Sequence, residues 1–296
     1  MPRKPRSRPV PAASAPSPSA SSPPAAPVAP VQRRRDPVVD VHAHVSFDEH
    51  LVLADRPHGA AEYAAAARAE RVEAAVLLAV APQGEPARTR GLNDLVLEAE
   101  VDGVTVLPFC SVHPLDGDGA LAELDRVVAA GARGVKLHPN MQRFDVADPA
   151  VQRVVARAGR LGLPVLFDAY APSDPAQLYK FVELAVACQD TDIVLAHLGG
   201  PKFAEMMMFH VLRTYPWWSD RLWFDLSWTV PTFSDGPYRE QLLWVCRKLG
   251  TDRLLFGSDY PMVDLATAVE GTVRLGFDAD ELDAVLHDNA AKLFSL

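Results

Sequence analysis

A few histidines and aspartates stand at regular places in this chain, and their spacing is where chemistry can begin. His42 and His44 lie two residues apart at the end of 38–44, an apolar run that reads as a strand. Alternate side chains of a strand share a face, so Asp40, His42 and His44 are expected to point the same way. Two imidazoles converging on one point suit a divalent metal that accepts nitrogen and carboxylate ligands, zinc or manganese. A lone His-x-His also fits two hydrogen-bonded core histidines, so the pair needs partners before it means anything.

Candidate partners occur further along. Asp259 sits in Phe256-Gly257-Ser258-Asp259-Tyr260-Pro261, where an apolar run turns. A carboxylate there can ligate metal and take a proton from a bound water, or simply cap a turn. His197, in Ala196-His197-Leu198-Gly199-Gly200, can polarise a carbonyl or meet an oxyanion, with a satisfied core histidine as the alternative. Lys136 and His138 share a face two residues apart. A lysine inside a barrel must be paired, so a substrate anion or a neighbouring carboxylate is expected beside it. Asp168 ends the fifth apolar run, His113 follows the third, and Asp225 and Ser227 end the seventh. Met206, Met207, Met208, Trp217 and Trp218 read mainly as packing, with part of the set able to line a pocket for a flat or apolar substrate. Trp223 and Trp228 would add to that wall, with Trp228 in contact with substrate. Arg143 and Arg239 read as surface arginines rather than carboxylate clamps.

The elements that must position these groups follow from the apolar runs 38–44, 74–79, 104–111, 134–138, 164–168, 193–197, 222–226 and 254–257. Each is short and rich in Val, Ile, Leu or Phe, as strands buried on both faces are. Helical patterns fill the gaps at 60–71, 90–102, 118–130, 149–161, 175–188, 203–214 and 237–249, and a last one covers 279–294. Eight strand–helix units without an internal repeat predict an α/β fold, a (β/α)8 TIM barrel spanning 37–296. A doubly wound sheet is the competing architecture, but no Gly-rich phosphate turn follows the first strand. Barrel sites form at the C-terminal strand ends, and five of the nine histidines (His42, His44, His113, His138 and His197) fall there.

Charge and composition exclude several functions. Residues 1–36 carry seven basic residues and one acid, and ten of the first thirty residues are proline. Such a segment cannot bury enough apolar surface to order itself, so it reads as a disordered tail. Residues 37–296 then hold 22 basic and 37 acidic residues, a net of −15, which argues against nucleic acid as substrate. No apolar run approaches a membrane span, and no secretory leader is evident. Three scattered cysteines, Cys110, Cys188 and Cys246, fit a reducing compartment, so a cytoplasmic protein is expected, with self-association compatible with the composition.

Four segments together resemble the amidohydrolase superfamily: 40–44, 134–139, 196–200 and 257–261. The resemblance covers 37–296 and is strongest to the branch that includes aminocarboxymuconate semialdehyde decarboxylase and 2-pyrone-4,6-dicarboxylate lactonase. It implies His42, His44 and Asp259 as ligands of one divalent ion, Asp259 also as a proton shuttle, and His197 as the group that orients water or polarises the scissile bond. Metal-dependent relatives usually end the fifth strand with histidine, where this chain has Asp168. Asp168 is either a substitute oxygen ligand or the mark of a metal-free lactonase. The expected activity is hydrolysis of an amide, ester or lactone in a small carboxylated or cyclic substrate. Non-oxidative decarboxylation of an aromatic or muconate-like acid is the alternative, and a catalytically dead barrel the third reading.

Overall fold

The computed structural model describes residues 37–45 and 58–296. The tail expected to be disordered, 1–36, lies outside them. The eight apolar runs become eight parallel strands in sequential order: β1 (Val38–Ala43), β2 (Val72–Leu78), β3 (Thr105–Ser111), β4 (Gly134–Leu137), β5 (Val165–Asp168), β6 (Ile193–Ala196), β7 (Leu222–Asp225) and β8 (Leu254–Leu255). Strand β8 is shorter than its apolar run because the chain turns early to present residues 256–260 to β1. Three backbone bonds close that seam: Val41 N–H to Phe256 O (3.0 Å), Asp259 N–H to His42 O (2.8 Å) and His44 N–H to Tyr260 O (2.7 Å).

The two faces of the curved sheet build two cores. The lumen is filled by alternate residues such as Val39, Val76, Leu107, Phe109, Leu166, Val194, Trp223 and Leu255. The opposite face, with Leu77, Leu137, Phe167, Leu195 and Phe224, packs under the helices. Each buried side chain of this size contributes on the order of 2 kcal/mol. Gly134 is required by this packing, since a Cβ there would stand 2.2 Å from the Phe109 ring that plugs the lumen.

Helices α1 (Ala60–Glu70), α2 (Pro86–Leu97), α3 (Asp118–Ala129), α4 (Pro139–Gln142), α5 (Pro149–Arg160), α6 (Gln177–Ala187) and α7 (Met207–Leu212) follow strands β1 to β6. After β7 come α8 (Thr229–Phe233) and α9 (Arg239–Leu249). After β8 come α10 (Leu265–Leu275), α11 (Ala279–Asp283) and α12 (Asn289–Phe294). Helix α2 starts four residues earlier than its periodicity suggests, because Pro86 supplies the fixed φ that suits a first helical turn. The expected helix 203–214 is a 3-10 stretch followed by the short α7. The expected 279–294 is interrupted by one wide turn at Ala284–Asp288, whose Val285 carbonyl accepts from Phe256 N–H at 3.0 Å. Helices α4, α8 and α10 have no counterpart in the sequence reading.

Candidate active site

The first site residues are set by an irregularity in β1. Asp40 pairs with Ala75 and Ala43 with Leu77, three steps on one strand against two on the other. This bulge rotates the chain between them. Val39 and Val41 face the lumen, and Ala43 packs with the outer core. Asp40, expected beside the histidines, instead lies against α1, where its Oδ2 accepts from Tyr63 Oη at 2.8 Å. The strict two-residue alternation therefore fails for Asp40, while His42 turns inward to meet residues from β4, β7 and the turn after β8.

Asp40 remains important through the turn that carries Asp259. Its carboxylate accepts from Ser258 N–H (2.8 Å), Ser258 Oγ (2.7 Å) and His42 N–H (3.1 Å). Burial nonetheless raises its pKa to about 6. Asp259 itself has φ +59, an uncommon conformation for a non-glycine residue, held by its N–H bond to His42 O. Gly257 precedes it because a Cβ there would meet Asp225 Oδ1 at 2.4 Å and His42 Cβ at 2.9 Å.

His42 is fixed by its partners. Nδ1 lies 2.7 Å from Asp225 Oδ2, so it carries the proton and donates. That leaves the Nε2 lone pair facing His44 Nε2 (3.1 Å), Lys136 Nζ (3.3 Å) and Asp259 Oδ1 (3.6 Å). His44 Nε2 is 3.7 Å from the same Asp259 oxygen. Burial, reinforced by the charge of Lys136, holds His42 well below the usual histidine range, and burial does the same for His44. Both imidazoles are therefore neutral, the form that ligates metal. Lys136 is 1% exposed, and burial lowers its pKa despite three nearby aspartates.

His197 follows β6 with φ +60 and faces a different carboxylate. Its Nε2 is 3.2 Å from Asp168 Oδ2, and its Nδ1 is 3.0 Å from Ser227 Oγ. The Ser227 hydroxyl donates to Asp225 Oδ2 at 2.8 Å, so it accepts from His197. Burial alone would depress His197, but the Asp168 hydrogen bond and the charges of Asp259, Asp168 and Asp225 raise it to about 9. Asp168 is held below the usual carboxylate range, its burial outweighed by His197, His138 and Lys136. His138 Nε2 lies 3.5 Å from Asp168, and burial brings His138 down to about 4. Burial pushes Asp259 up to about 6.

Donor atoms of His42, His44 and Asp259 lie within 4.8 Å of one another, and so do those of His42, His197 and Asp225. The first group fits a divalent ion by its chemistry: two neutral imidazoles, one carboxylate, and a carboxylate on the far nitrogen of His42. An ordered outer partner of that kind is how ligating imidazoles are oriented. Asp168 belongs to neither group and is engaged by His197 and His138.

A cavity of about 740 Å³ opens over these residues. His44, His138, Asp168, His197 and Asp259 line its floor, while Leu78, Leu92, Leu95, Val96, Met141 and Met262 form its walls. Among the described residues, none of the tryptophans of the later loops, expected to form an aromatic wall, lines this cavity. Trp223 lies in the lumen cluster, its indole N–H on Asp192 and Arg253 over its ring. Trp228 stacks on Tyr170 at 6.5 Å, and Trp217 on Tyr215 at 5.4 Å, outside the cavity lining. His113 is spent on backbone groups, Gln142 O at 2.7 Å and Leu115 N–H at 3.2 Å. The sequence reading named Asp225 and Ser227 at a strand end but gave them no role. Sequence patterns do not reveal the walls because the lining residues on 78–96, Arg88 and Glu85 apart, carry no titratable group.

A parallel eight-stranded barrel with imidazoles and carboxylates converging at its C-terminal rim defines a barrel-enzyme active site. The chain belongs to the amidohydrolase family, whose model (Amidohydro_2) matches residues 39–296. Among solved structures it is similar to 2,6-dihydroxybenzoate decarboxylase complexed with 2,6-dihydroxybenzoate, at 17% identity and TM-score 0.68, covering 88% of this chain and 100% of that one. It is also similar to a candidate 2-pyrone-4,6-dicarboxylic acid hydrolase from Pseudomonas putida, at 23% identity and TM-score 0.63, covering 88% and 98%. A third is a dihydroxybenzoic acid decarboxylase from Polaromonas sp. JS666 with bound manganese and 2-nitroresorcinol, at 16% identity and TM-score 0.63, covering 88% and 97%. No curated protein matches the chain. Among the described residues no helix is long and apolar enough to cross a membrane.

Proposed function

We propose that the chain hydrolyses an amide, ester or lactone bond in a small carboxylated or cyclic substrate, with His42, His44 and Asp259 holding one divalent ion, zinc or manganese. The observation that carries this reading is the convergence of those three donors within 4.8 Å on the floor of the cavity that also holds His197. Such an ion would supply a water of lowered pKa and polarise the carbonyl. Asp259, whose Oδ1 lies 3.6 Å from His42 Nε2 and 3.7 Å from His44 Nε2, accepts the proton of the attacking water and returns it to the leaving group. His197, cationic and with both N–H groups engaged by Asp168 and Ser227, acts through its positive charge on the negative charge that develops on the carbonyl oxygen. Asp168 serves as the orienting partner of His197 rather than as a ligand. Lys136 acts from beneath, balancing the buried aspartates, and His138 contributes to substrate contact at the floor.

Asp259→Asn tests the scheme. Turnover on a lactone, ester and amide panel should be lost while the circular dichroism spectrum is retained. Near-normal turnover in that variant excludes it.

A second reading, non-oxidative decarboxylation of an aromatic acid, is favoured by the decarboxylases among the similar structures and by a cationic His197 suited to a developing carbanion. Carbon dioxide release from aromatic acids, without hydrolysis of the panel above, would replace the first reading by this one.

A further inference from the structure

Exposure grades the cavity from floor to mouth. Asp168, His197 and Asp259 are 6–9% exposed, whereas Met141 and Met262 are 53% and 59% exposed. Two arginines share the outer level. Arg143, read from sequence as an ordinary surface residue, lines the cavity, and so does Arg88. Arg239 does not.

Arg143 is held in place by a local device. The four-residue helix α4 is pinned by Gln142, whose Nε2 donates to Ala81 O (2.9 Å) and Val112 O (3.0 Å) and whose Oε1 accepts from His138 N–H (2.7 Å). These bonds tie α4 to the ends of β2, β3 and β4 together. Arg143 follows directly, with φ +57 and its N–H on Pro139 O. A fixed left-handed backbone on a non-glycine residue sets where the side chain leaves the chain. Among the described residues Arg143 has no ion-pair partner. Among those residues Arg88 has only a loose contact with Glu85, at 3.6 Å and largely exposed.

The surrounding protein is strongly acidic, and the cavity floor carries two carboxylates. Without a local positive group, an anion would be repelled from the opening. Guanidinium groups match planar carboxylates in a way a point charge does not. The apolar walls between mouth and floor suit a flat hydrocarbon body. We infer that Arg143, assisted by Arg88, reads a carboxylate on the substrate at the end remote from the reacting bond. This rests on the proposed function for what happens at the floor, and it adds that the substrate carries a second, outer anion across an apolar ring or short chain.

Binding, rather than turnover, tests this. Isothermal titration calorimetry on the full chain would compare isophthalate, with two carboxylates across a ring, against benzoate, with one. The wild type should prefer isophthalate, and Arg143→Gln should reduce that preference roughly tenfold while benzoate binding stays within twofold. Arg88→Gln, at an exposed position, should reduce it by a smaller factor, and Arg143→Lys should restore only part. Asp259→Asn should retain the preference, so loss of hydrolysis and loss of this subsite are read separately. A wild type with no preference, or an Arg143→Gln variant whose preference is unchanged, overturns the inference. So does an equal loss of both probes.

Discussion

The carboxylate of Asp40 receives both the backbone N–H and the hydroxyl of Ser258, at 2.8 and 2.7 Å. Through these bonds an aspartate on the outer side of β1 sets the turn that presents Asp259 to His42 and His44. Tyr63 completes the cluster from α1. Asp40→Asn puts an NH2 group against a donor and leaves a buried polar atom unpaired. It should cost on the order of 3 kcal/mol, seen as a lower urea midpoint. Tyr63→Phe removes one donor only and should cost about 1 kcal/mol. Equal, negligible shifts for both would mean the cluster does not organise the turn.

Asp225 acts on His42 from the side away from the cavity. Asp225→Asn should leave both imidazoles in the chain yet weaken zinc binding about 10- to 100-fold, because the orientation and basicity of His42 depend on that partner. Competition with a chromophoric chelator measures this directly. Wild-type affinity in the variant would count against His42 as a ligand.

Lys136 places an ammonium 3.3 Å from the same nitrogen that would face an ion. Like charges at that range repel, so Lys136→Met should tighten zinc binding by about tenfold or more. The same competition assay reads the effect, and weaker binding in a folded variant would show that the lysine supports the ligand set instead.

Glu123 offers a pH-dependent test away from the site. Arg126 reaches both its oxygens, at 2.7 and 2.8 Å, and Asn93 adds a third bond at 2.8 Å. Burial opposes ionisation, but these partners outweigh it and hold Glu123 below its usual range. A depressed carboxylate stabilises the fold above its unfolded pKa near ~4.3, and the contribution disappears as pH falls through the folded value. Glu123→Gln should therefore lower stability by about 1 kcal/mol at pH 7 and by clearly less at pH 3. Chemical unfolding at the two pH values decides it, and a constant difference would rule out the linkage.

The sequence by itself determined the barrel. Its strand runs are apolar on both faces, which forces a sheet covered inside and out, and eight such runs with intervening helices leave little but closure. It also placed His42, His44, His197 and Asp259 at the rim, because strand ends are local features. Helix α10 escaped notice because Thr267, Gly271 and Thr272 dilute a helical pattern that packing sustains, its Leu265, Ala268, Val269 and Leu275 being buried. Only the tertiary structure decided what the rim residues touch. The bulge between Asp40 and Ala43 arises from pairing with β2, so alternation along β1 could not reveal that Asp40 faces α1. Asp225 gains its role from a contact 183 residues away, and Arg143 from a helical turn pinned to three strand ends. Long-range pairing, which no single segment encodes, turned a list of polar residues into a site with an inside, a wall and a mouth.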